Sequence, residues 1–127
     1  MDTKYKENAI KVIEKVLWSV HNKEYEAIVN HVDETEIKDM DCLFHFVQGT
    51  LELNGYDSID EYGVPCDFHP KYEYSQMNFY EFDDNSGFAV DYDLTSNSEL
   101  VDLCLQMKFL YIADGGMRSV FIGIDPR

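Results

Sequence analysis

Beyond Pro70 the hydrophobic period of this 127-residue chain changes from 3.6 to 2, and that switch divides it into a helical half and a sheet half. Before the switch, Ile10, Ile13, Leu17 and Val20 recur at helical spacing, with Ala9 and Val16 widening the stripe. The pattern predicts a helix over 5–21, capped by Asp2 or Thr3 and stopped near Asn22. A shorter helix over 24–31 carries Tyr25, Ile28, Val29 and Val32 on one side. Asp33, with Glu36 three residues on, reads as the start of a third helix. Ile37, Met40, Phe44, Val47 and Leu51 then follow a 3-4-3-4 spacing, so this helix is expected over 37–53, with Gly55 beyond its end. A rival reading makes 43–53 a hairpin around Gly49-Thr50; the unbroken helical spacing favours the helix.

Residues 56–70 form a long loop punctuated by Gly63, Pro65 and Pro70. After it Tyr72, Tyr74, Gln76, Asn78, Tyr80 and Phe82 share one face of a strand, and Asp83-Asp84-Asn85-Ser86-Gly87 is a turn. Phe88, Val90, Tyr92 and Leu94 then alternate with Ala89, Asp91, Asp93 and Thr95. Ser96-Asn97-Ser98 turns again, Val101 to Tyr111 alternate over a long strand, Asp114-Gly115-Gly116 turns, and Met117 to Ile124 closes the sheet. The expectation is one α+β domain over 1–127. Its helical part is 4–55, its loop 56–70, and a four-stranded antiparallel meander fills 71–124. A composition 45% hydrophobic and 14% aromatic supplies a core for a domain of this size.

The second constraint is charge. Residues 56–102 hold twelve acids against one base, Lys71, and the formal net charge is -15. Such an imbalance costs stability through self-repulsion, so a use for it is expected. Nucleic acid and anionic membranes are excluded as direct ligands, because phosphate binding needs clustered Lys and Arg. Tyrosines and phenylalanines interleave with the acids, a combination suited to Lys and Arg of a protein partner. The chain begins with no apolar signal-peptide core and contains no stretch of membrane-spanning length, and the odd, widely spaced Cys42, Cys66 and Cys104 suggest reduced thiols. Cytoplasmic location follows as the expectation.

Catalytic and metal signatures are thin. Asp91 and Asp93 are neighbours about 7 Å apart on one strand face, a spacing open to acid–base work, but the favoured reading is a solvated outer face opposite Phe88, Val90, Tyr92 and Leu94. Of His21, His31, His45 and His69, only His45 has partners at helical spacing, Asp41 and Cys42. Two ligands on one helix do not make a zinc site. Asp83 to Gly87 lacks the bidentate glutamate of a calcium loop. Cys66 sits among acids, which raise a thiol pKa rather than activate it. No cofactor, metal or enzymatic activity is expected.

Helices first, then a loop, then a meander bearing Phe88-Ala89-Val90-Asp91-Tyr92-Asp93-Leu94-Thr95 and Glu99-Leu100-Val101-Asp102-Leu103: this order resembles the small NTF2-like or cystatin-like domains of bacteria, over residues 8–124. Some of those domains are immunity proteins that neutralise polymorphic or contact-dependent toxins. The resemblance, joined to the charge, implies a non-enzymatic antidote whose acidic surface covers the basic cleft of a nuclease-type toxin. The residues expected at that surface are Asp57, Asp60, Glu61, Asp67 and Tyr72, with Glu81, Asp83, Asp84, Asp91 and Asp93 on the sheet. The alternative is an NTF2-like small-molecule pocket between helices and sheet, lined by Tyr72, Tyr80, Tyr92, His45 and Asp102.

Overall fold

The computed structural model describes residues 2–64 and 75–126. Helix α1, Thr3–His21, starts where the Asp2 side chain accepts a hydrogen bond from the Lys4 backbone N–H at 2.9 Å. It buries Ala9, Ile13, Val16, Leu17 and Val20 along one stripe. At its end the Asn22 side chain donates to the Trp18 carbonyl, and Lys23, at φ 60°, turns the chain out of the helix. The second helical segment is a 3₁₀ turn, Tyr25–Asn30, which buries Tyr25 and Ile28. Helix α2 runs over Met40–Leu53 and buries Met40, Leu43, Val47 and Leu51, so the hairpin alternative for 43–53 is excluded.

The predicted four-stranded antiparallel meander is corrected to a five-stranded mixed sheet. Its strands are β1 (Glu34–Thr35), β2 (Met77–Glu81), β3 (Gly87–Ser96), β4 (Glu99–Tyr111) and β5 (Met117–Pro126), in the spatial order β1-β5-β4-β3-β2. The meander β2 to β5 is antiparallel throughout, whereas β1 lies parallel to β5, with Glu34 opposite Val120 and Thr35 opposite Phe121. Two residues carry no readable alternation. What makes them a strand is the open edge of β5. The Asp33 and Glu36 N–H groups donate to the carbonyls of Ser119 and Phe121, and the Asp33 carboxylate accepts from the Ser119 N–H and hydroxyl. Asp33 therefore ties down a sheet edge and caps no helix. That role passes to Asp39, whose side chain accepts from the Cys42 N–H at 3.1 Å.

The helices cover one face of the sheet. Phe88, Val90, Tyr92 and Leu94 of β3, Leu103, Leu105, Met107 and Phe109 of β4, and Phe121 and Ile124 of β5 are buried with the α1 and α2 stripes in one core. The register slips between Asp93 and Thr95: Asp93 faces Cys104, but Thr95 already faces Leu100. β4 thus inserts extra residues, and Asp102 takes up the bulge at φ 57°. Among the described residues no helix is long and apolar enough to cross a membrane.

Candidate functional site

The loop that leaves α2 is held against the β3–β4 turn by Asp60. Asn97 and Ser98 both have positive φ, 52° and 67°, as a tight hairpin turn of primed type requires. Their N–H groups point at Asp60, whose carboxylate accepts from Asn97 at 3.1 Å, from Ser98 at 2.8 Å and from the Thr95 hydroxyl at 2.9 Å. The Asp60 N–H in turn donates to the Thr95 carbonyl, and the Ser96 hydroxyl donates to the Ser58 carbonyl. Ile59 is buried between, and its carbonyl is 2.7 Å from His21 Nδ1 at the end of α1.

These bonds bring the next two residues, Glu61 and Tyr62, alongside the solvent flank of α1. Tyr62 stacks on Tyr92 of β3, with ring centroids 5.5 Å apart and planes inclined by 29°. Glu14, Trp18, Glu61 and Tyr62 line a groove of about 320 Å³. Trp18 is 49% exposed although its neighbours Leu17 and Ser19 are fully buried. Burial, and after it the negative charge of Glu14, raises the Tyr62 hydroxyl above the ordinary tyrosine pKa. Glu61 lies 3.8 Å from His21 Nε2, and among the described residues neither Glu14 nor Glu61 has a Lys or Arg partner.

The expected acidic surface is divided by the sheet. Asp57, Asp60 and Glu61 gather at the β3–β4 end, where the Tyr56 hydroxyl donates to Glu99 at 2.6 Å and Asp102 stands exposed nearby. Asp57 is exposed and its carboxylate is 3.4 Å from Lys23. Glu81, Asp83 and Asp84 sit at the opposite end, about 30 Å away for a ten-residue strand. There Asp84 accepts from Ser86 to shape the turn, and hydrogen bonds from Ser86 hold its carboxyl below the usual range. Asp91 and Asp93 lie mid-sheet on the face away from the helices. Asp91 is partly exposed but Asp93 is 5% exposed, so at Asp93 that face is not the solvated surface the alternation suggested. Burial, then the charge of Asp93, raises the Asp91 carboxyl. Asp67 and Tyr72 lie outside the described residues.

The alternative pocket residues do not converge. Tyr92 is in the core, Tyr80 is exposed on β2, and Asp102 occupies the bulge. His45 stands on the outer side of α2, 3.4 Å from Asp41. Cys42 donates to Asp39, an interaction that pushes its thiol pKa up and leaves it a poor nucleophile. Among the described residues no three His, Cys, Asp or Glu side chains are grouped to hold a metal.

Of the four residues lining the Trp18 groove, sequence reasoning selected Glu61 but missed Glu14 and Trp18. Both missed residues lie outside the apolar stripe of α1, four residues apart. An indole off the buried stripe was the available signal, because folding alone does not require it there.

Residues 17–126 match the model of a family described as Domain of unknown function (DUF7668), and the chain belongs to that family. No curated protein and no solved structure matches it.

Proposed function

We propose that this member of the DUF7668 family is a non-enzymatic binding protein that captures a basic protein partner. Within that reading it is a cytoplasmic antidote that covers the cationic cleft of a nuclease-type toxin. The observation that carries the proposal is the loop end of the molecule: Asp57, Glu61, Glu99 and Asp102 are exposed around one turn, with Lys23 as the paired lysine. Carboxylates crowded this way repel one another, and a cationic surface relieves the repulsion on docking. A nuclease cleft must be cationic to hold phosphates, so a rigid carboxylate-bearing turn matches it in sign.

The test is association kinetics with a cationic nuclease-type toxin domain, which on this reading is expected to be encoded beside the chain's own reading frame. Reversal at the loop end, Asp57→Lys with Glu61→Lys, is expected to slow association. The same reversal at the far end, Asp83→Lys with Asp84→Lys, acts less, because it lies about 30 Å away, beyond a Debye length of about 10 Å at 0.1 M salt. Wild-type association should also fall as salt is added. A rate indifferent to salt and to both reversals would remove the proposal.

A further inference from the structure

We infer that the groove between α1 and the loop is an anchor for an arginine side chain of the partner, with Glu14, Trp18, Glu61 and Tyr62 receiving its guanidinium. This inference rests on the capture reading above and assigns it one central contact. Its basis is a combination of features that folding does not account for. Trp18, the one tryptophan of the chain, is half exposed while Leu17, Ser19 and Val20 beside it are buried. Tyr62 is fixed in place by its stacking on Tyr92 and by the Asp60 anchor just before it. Glu14 comes from α1 and Glu61 from the loop, so the fold brings two carboxylates to one groove, and among the described residues neither has a Lys or Arg partner.

Other acidic hollows of the molecule differ on this last point. The hollow at Glu24, Glu26 and Asp41 includes Lys23 in its wall, and the one at Glu26, Asp39 and Asp41 includes Lys38. Among the described residues, the Trp18 groove alone of these three has no Lys or Arg in its wall. The apolar rings select the type of cation. A guanidinium is planar and weakly hydrated, so it stacks on an indole or phenol ring while its edge donors reach carboxylates; an ammonium is a compact, strongly hydrated charge. A groove of about 320 Å³ has room for one such side chain.

Because Trp18 is the only tryptophan, its fluorescence reports on the groove directly. The full chain is titrated at pH 8 and low salt with N-acetyl-arginine amide, the lysine analogue and the neutral citrulline analogue. The expected result is a saturable change with the arginine compound, half-complete on the order of 1–10 mM, as a single exposed contact of this kind allows. Citrulline gives no saturable change, and lysine is several-fold weaker. Glu14→Gln with Glu61→Gln raises the half-saturation about tenfold, since it removes both exposed charge partners of the guanidinium. Equal curves for arginine and citrulline, equal curves for arginine and lysine, or no effect of the double substitution overturns the assignment.

A labelled hepta-arginine peptide separates this inference from the broader one. If its salt-sensitive binding persists undiminished in the double variant, the groove is not the anchor while capture by the acidic surface stands. If wild type itself shows no salt-sensitive binding, both fall.

Discussion

Replacing Asp60 with alanine removes the common acceptor of three hydrogen bonds, from the Asn97 N–H, the Ser98 N–H and the Thr95 hydroxyl. Hydrogen bonds to a charged group contribute about 1.5–3 kcal/mol each. The Asn97 bond is exposed and the other two are only partly buried, so water replaces part of what is lost. Removing a negative charge from so acidic a chain also returns a little stability. The net expectation is a loss of about 2–4 kcal/mol, several times the effect of a typical surface substitution. Urea unfolding followed by Trp18 fluorescence and circular dichroism measures it. With a slope of about 2 kcal/mol/M, the midpoint should fall by about 1–2 M. Asp57→Ala, at an exposed neighbour whose contact is one ion pair with Lys23, is the control and should move the midpoint little. Asp60→Asn keeps one acceptor oxygen and should fall between. A midpoint for Asp60→Ala within about 0.2 M of wild type, or an equal drop for Asp57→Ala, would refute the view that this carboxylate holds the loop to the turn.

Gly87→Ala should lower stability by about 2 kcal/mol or more, because a Cβ there collides with the Phe109 carbonyl oxygen of the adjacent strand; an unchanged thermal midpoint would contradict that packing. Asp91 has a raised folded-state pKa, from burial first and then from Asp93, so the native state binds its proton more tightly than the unfolded state. Its contribution to stability therefore declines as pH rises from the ordinary aspartate range through the raised value, and stays lost above it. Asp91→Asn should gain stability relative to wild type as pH is raised from 4 to 7, read as the difference in urea midpoints. A constant difference across that range would remove the assignment.

Periodicity carried most of the architecture. The helical stripe of α1 and the alternation from Phe88 to Leu94 are local patterns, and the core uses them as read. The turns at Asp83–Gly87, Ser96–Ser98 and Asp114–Gly116 were legible for the same reason, since side-chain and glycine preferences act within a few residues. The errors lie where partners are distant in sequence. Asp33 looks like a helix cap in isolation, but Ser119 is 86 residues away and turns it into a sheet tie. The helix expected from residue 37 accordingly begins at Met40, and a parallel strand appears that no alternation announces.

The sequence by itself determined the excess of negative charge, the two-part organisation and the faces of the long elements, because these depend on composition and short-range spacing. It did not determine which acids share a surface. Asp60 and Asp84 read alike along the chain, yet a ten-residue strand separates their ends of the sheet by about 30 Å. Only the tertiary structure gave Asp60 a backbone to hold, buried Asp93, and set Glu61 and Tyr62 beside Glu14 and Trp18. Those pairings depend on how the loop is pinned between α1 and the β3–β4 turn, a long-range contact that local patterns do not encode.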